Sequence, residues 1–202
     1  MASGRLAGTI GVALLGLLAV GCDSTHPSGP PASQPVVSIA AADCAARIKA
    51  VDLADAATVF AVDRCRFTPA GGEASRAALQ AGATGDAVWA ALWVYVDSAS
   101  DPAPMRPYVA TGTTSTRAMA SAGLVAFGDA TGFDGLRVAL ADTETLDGST
   151  PPLAIQAFAL DALERSVVLS NGPSDAAAWS SWLEARSAAL RYDPSAGTWS
   201  LP

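Results

Sequence analysis

Histidine is almost missing from this sequence: the single one, His26, lies in a stretch rich in Pro, Ser and Gly. A serine nucleophile therefore has no imidazole base in the folded region, and a histidine metal site cannot be built there. Lysine is as scarce, with Lys49 alone among scattered arginines, and the formal net charge is -7. Neutralising phosphates needs clustered Lys and Arg, so nucleic acid is excluded as a partner. No phosphate loop is present, since Gly128-Asp129-Ala130-Thr131-Gly132 lacks the lysine such a loop requires. No catalytic residue or cofactor is expected. Carboxylates are the one plentiful reactive group, with 19 Asp and Glu, and they leave a carboxylate-dependent hydrolase as the rival enzymatic reading.

Long apolar runs are also lacking. Leu6 to Val20 is uncharged and apolar, but at about 15 residues it is short for a membrane span. Arg5 precedes it, without a twin-arginine pair, and Ala19-Val20-Gly21-Cys22 closes it. That ending resembles the lipobox of bacterial lipoproteins, with Ala19 standing where Leu is commoner. The resemblance implies general secretory export, cleavage before Cys22 and lipidation of Cys22, with palmitate among the acyl groups. Residues 1–21 are then a signal peptide. Residues 22–35 carry the lipidated cysteine and a Pro-, Ser- and Gly-rich tether that cannot bury apolar surface. The expected location is the extracytoplasmic face of the membrane, held by a lipid anchor.

Cysteine is limited to three residues. With Cys22 lipidated, Cys44 and Cys65 remain as an even pair in an oxidising compartment, which predicts a disulfide. The alternative, a metal or catalytic thiol site, lacks a histidine to complete it.

Half the residues are hydrophobic, 15% are charged, and Ala dominates the apolar set, a composition suited to closely packed helices. Helices are expected over Ala40–Ala50 and Asp55–Cys65, the second capped by Asp55; Thr58–Val62 also has the composition of a strand. Phe67–Gly72 reads as a loop, Glu73–Ala81 as a short helix, and Gly82–Gly85 as a break. Ala87–Val96 is the most apolar stretch after the leader and reads as a buried helix capped by Thr84 or Asp86. Asp101–Val109 is its expected partner, shortened or kinked at Pro107. Thr143–Pro152 is a loop, Leu153–Arg165 a helix, and Ser174 caps a helix over Asp175–Leu190. Arg191-Tyr192 and Thr198-Trp199 flank a turn and suggest a small β-hairpin.

Thr116 to Asp142 is the best-defined stretch. Ala120, Leu124 and Phe127 share one face of a helix that is apolar almost all round. Gly128-Asp129 ends it, and Phe133, Leu136, Ala139 and Leu140 form the stripe of a second helix, with Asp134 and Arg137 facing away. Arg117-x-x-Ala120-x-x-Gly123-Leu124-x-x-x-Gly128-Asp129, then Leu136-x-x-Ala139-Leu140, resembles a HEAT-like repeat of the bacterial PBS-lyase type. Asp86–Val109 and Leu153–Leu190 match it only in pattern. The resemblance implies an all-α fold: residues 36–202 as a short α-helical solenoid of such hairpins, with the β-hairpin as a cap. A compact irregular α-bundle is the alternative.

The acidic loop Asp142, Glu144, Asp147-Gly148 lacks the spacing of an EF-hand and reads as solvated surface rather than a calcium site. Trp89, Trp93, Tyr95, Trp179, Trp182, Tyr192 and Trp199 read as core and end packing, with a carbohydrate-binding module using exposed Trp as the alternative. The function expected from these features is a non-catalytic protein-interaction scaffold whose partners are the membrane, through the anchor, and another envelope or extracellular protein.

Overall fold

The computed structural model describes residues 39–98 and 101–202, and Ile39–Pro202 forms one compact unit. Residues 1–38, on which the expected signal peptide (1–21) and tether (22–35) fall, with Cys22 and His26, lie outside the described residues. Among those described, no helix is long and apolar enough to cross a membrane.

The unit is all-α apart from a two-stranded hairpin at its C-terminal end. Helix α1 (Ala41–Lys49) buries Cys44 and Ile48. Helix α2 (Ala56–Asp63) starts where Asp55 accepts a hydrogen bond from the Ala57 N–H, so Thr58–Val62 is helix, not strand. Helix α3 (Pro69–Gln80) begins four residues earlier than its composition suggests. Thr68 caps it by accepting from the Gly71 N–H at 2.9 Å, and Pro69 fills the first position. Gly71 and Gly72, expected in a loop, lie inside this helix, at positions where neighbouring backbone leaves no room for a side chain. A Cβ on Gly71 would stand 2.0 Å from the Cys65 carbonyl oxygen, and one on Gly72 would stand 2.8 Å from that of Ser98.

Helix α4 (Asp86–Ser98) buries Trp89, Leu92, Val94 and Tyr95 and lies against α3. Ala103–Val109 follows as a 3-10 helix rather than an α-helix; Pro107, inside it, cannot donate to an α-helical ladder. It packs on α3 and on helix α5 (Thr114–Ala126), which Thr113 caps. Helix α5 ends in a Schellman turn. The Gly128 N–H donates to Val125 O and the Asp129 N–H to Leu124 O, with Gly128 at φ +81°, a region that favours glycine. Helix α6 (Gly132–Ala139) then buries Phe133, Leu136 and Ala139 while Asp134 stays exposed, the face expected from its stripe.

Helix α7 (Ile155–Ser166) packs on α5 and α6, and helix α8 (Ala176–Arg186) packs on both α6 and α7. The cap of α8 is Asp175, which accepts from the Ala178 N–H at 2.9 Å; Ser174 bonds the other oxygen of that carboxylate instead of starting the helix. The α-helix stops at Arg186 and a 3-10 turn, Ser187–Ala189, completes the segment expected to run to Leu190. Helix α5 thus has α4 on one side and α7 on another, with α6 and the 3-10 helix also against it.

Strands β1 (Arg191–Asp193) and β2 (Thr198–Ser200) pair antiparallel, Tyr192 opposite Trp199. The hairpin closes the end of α5 by bonding carbonyls of its last turn: Trp199 Nε1 donates to Val125 O at 2.8 Å, beside the Gly128 N–H, and the Tyr192 hydroxyl to Ala126 O at 3.0 Å. Trp199 also meets Phe133 edge-on at 5.0 Å. The Tyr192 ring occupies the space a Cβ on Gly128 would need, at 2.4 Å.

Candidate functional site

Cys44 and Cys65 are joined, with Cα atoms 5.8 Å apart and both residues fully buried. The bridge fixes α1 to the corner where α2 gives way to α3. That corner carries the most unusual local geometry among the described residues. Phe67 is the one non-glycine residue there with positive φ, at +58°. A bulky side chain in the left-handed region costs about 1–2 kcal/mol. The turn is forced from both sides. Cys65 is held by the bridge and by a hydrogen bond from the Thr68 hydroxyl to its carbonyl, while Thr68 must also cap α3.

The Phe67 ring is not used for packing; it is 55% exposed, and Phe60 on α2 is 59% exposed. Phe60 and Asp63 are one helical turn apart and so share a face of α2. Asp63 Oδ1 accepts from Arg66 Nη1 at 2.9 Å and from Trp93 Nε1 at 3.1 Å. The Arg66 guanidinium lies over the Trp93 ring at 4.1 Å and over the Phe67 ring at 4.9 Å, and its Nε donates to Asp97 Oδ2 at 2.6 Å. The result is a connected cluster, Asp63, Arg66, Phe67 and Trp93, built on a buried ion pair, with the exposed Phe60 one turn before Asp63 on α2. The side chains of Arg66 and Asp97 are only 11% and 6% exposed. Burial pushes the Asp97 carboxyl above the usual carboxylate range; the Arg66 hydrogen bond and charge pull it back only in part.

These groups are committed to one another. Arg66 spends its charge on Asp97 and Asp63, and Asp97 spends its oxygen on Arg66, so the surface offers aromatic area rather than acid–base chemistry. An open cleft of 390 Å³ between α6, α7 and α8, lined by Leu140, Ala141, Gln156, Ala176, Ser180 and Ser181, contains no titratable lining residue.

The other residues singled out from sequence are dispersed. Asp142 caps its own turn through the Glu144 N–H, and Asp147 accepts from the Thr113 hydroxyl at 3.0 Å. Among the described residues no group of three His, Cys, Asp or Glu is placed to hold a metal. Trp89, Trp179 and Trp199 are buried, while Trp93 and Trp182 are half-buried and packed against Trp89 and Trp179 respectively. The tryptophans thus serve the core and its rim.

Phe60, Asp63, Arg66, Phe67 and Asp97 escape sequence reasoning. Arg66 and Asp97 are 31 residues apart, and no spacing rule joins them. The only local signal is the crowding of Cys65-Arg-Phe-Thr68-Pro, where a bridge and a helix cap leave two residues to turn the chain. Comparison with protein-family models, curated proteins and solved structures finds no match to this chain.

Replacing Phe67 tests whether its ring is held for display. Phe67→Gly relieves the left-handed strain of about 1–2 kcal/mol but adds about 0.5–1 kcal/mol of chain entropy and loses the contact with Arg66. The terms cancel to within about 1 kcal/mol, so urea melts of the variant should nearly superimpose on the parent. A loss beyond about 2 kcal/mol would show that the ring is a packing element.

Proposed function

We propose that this protein is a lipid-anchored extracytoplasmic lipoprotein whose helical domain is a non-catalytic protein-interaction scaffold, built from stacked hairpins of the HEAT-like kind. The observation that carries the reading is the division of the three cysteines. Cys44 and Cys65 are spent on each other inside the core, which suits an oxidising compartment. Cys22 is the odd one, placed where the apolar leader ends. The serial contacts of α4 with α5 and α5 with α7, with α6 and α8 beside them, support the stacked reading. The 3-10 helix at Ala103–Val109 is its main departure, standing where a second α-helix of the preceding hairpin is expected.

Cys22→Ser tests the anchor. The parent should enter the detergent phase on Triton X-114 partition and show an acylated N-terminal Cys22 by mass spectrometry. The variant should stay in the aqueous phase or keep its leader. Equal partition and equal mature mass of the two would sink the proposal.

A further inference from the structure

Phe60, Phe67 and the Arg66–Trp93 stack lie on α2, α4 and the turn after α2, with both phenylalanines exposed, and this corner is tied to α1, the first helix of the domain, by the Cys44–Cys65 bridge. We infer that this surface is a bilayer contact: Phe60 and Phe67 enter the interfacial region of the membrane that holds Cys22 and orient the domain on it. The inference rests on the anchoring of Cys22 proposed above.

Three observations select a lipid surface as the occupant. The first is position. Ile39 enters α1, which packs on α2 and is bridged to Cys65, two residues before Phe67. Seventeen peptide units separate Cys22 from Ile39, so the start of the domain lies at most about 60 Å from the anchored residue. The second is charge. Residues 39–67 together with Asp97, which bonds Arg66, hold four basic side chains (Arg47, Lys49, Arg64, Arg66) against five acidic ones, whereas the rest of residues 68–202 hold seven against thirteen. An anionic headgroup layer repels most of this domain more strongly than this less acidic part of it. The third is size. Two half-exposed phenylalanine rings offer about 200–250 Å², well below the roughly 800 Å² each partner contributes to a stable protein interface. A surface that small does not hold a free protein. It does suffice where a tether keeps the target at about millimolar effective concentration.

The test uses the mature chain, residues 22–202, coupled through the Cys22 thiol to a maleimide lipid in phosphatidylethanolamine–phosphatidylglycerol vesicles. The Cys44–Cys65 bridge leaves Cys22 as the one thiol to couple. Benzoylphenylalanine replaces Phe67 in one sample and Val168, which is 59% exposed, in another; both sites are outward-facing, so the fold is kept. On irradiation, lipid adducts at position 67 should exceed those at position 168 by about tenfold, and adding Phe60→Ser should lower the yield at 67 by about fivefold. Equal yields at the two positions, or adducts at 67 to a second copy of the chain, would overturn the assignment. Because the maleimide supplies the tether, a chain that the cell leaves unacylated tests this surface equally well, and the two failures are told apart.

Discussion

Leu124→Ala should lower the stability of the domain by about 2–5 kcal/mol, whereas Arg137→Ala should change it by less than about 0.5 kcal/mol. Leu124 is fully buried in α5, the helix flanked by α4 and α7 and covered by α6. Its Cβ already sits where a side chain on Gly132 would stand 3.0 Å away, so α5 and α6 meet almost backbone to backbone at this point. Helices that close cannot move further in to fill the space, and the lost transfer energy of the leucine is joined by the cost of a residual cavity. Arg137, on the half-exposed side of α6, removes no comparable packing. In a domain of this size the leucine change corresponds to a drop in Tm of roughly 2–4 °C per kcal/mol. The neighbouring position should react to the opposite change. A Cβ on Gly123 would stand 2.5 Å from Met105 Sδ and 3.0 Å from Val96, so Gly123→Leu pushes the 3-10 helix and α4 away from α5. A harmless Leu124→Ala beside a damaging Arg137→Ala would mean that the faces of this hairpin are reversed.

The faces of that hairpin are legible because periodicity, the Gly128-Asp129 stop and the burial of each stripe all follow from local sequence. So are the Asp55 cap of α2, the β-hairpin and the pairing of Cys44 with Cys65. What the sequence hides depends on neighbours distant in the chain. Gly71-Gly72 reads as a loop because glycine is a poor helix former; it lies in the helix that Thr68 caps, and glycine stands there because Cys65 and Ser98 come too close for any Cβ. Ser174 and Asp175 are both good caps, and only the geometry of the first turn selects Asp175. The Arg66 site is hidden for a third reason. Its parts come from α2, the turn after it and α4, and the strained φ of Phe67 arises from constraints applied on both sides of it.

Removing the bridge should cost about 3 kcal/mol and should act at the same corner. The chain-entropy estimate for a loop closed over 21 residues is of that size. Cys44→Ala together with Cys65→Ala is the suitable variant, because a single change leaves a buried thiol facing a void. Helix α1 has nine residues, too few to persist in water without tertiary support. Its remaining ties are Ile48 in the core, the packing on α3 and, less extensively, on α2 and α4, and the hydrogen bond from Arg47 Nη1 to Ala61 O at 2.9 Å. The loss should therefore be uneven. Amide exchange in α1, α2 and residues 64–68 should accelerate most, since Cys65 no longer pins the turn that forces Phe67 into the left-handed region. Exchange in α5 should follow only the fall in global stability. A double variant that melts with the parent and exchanges evenly along the chain would mean that packing alone fixes α1. The same result would remove the bridge as the cause of the Phe67 geometry, and the exposed ring would need another explanation.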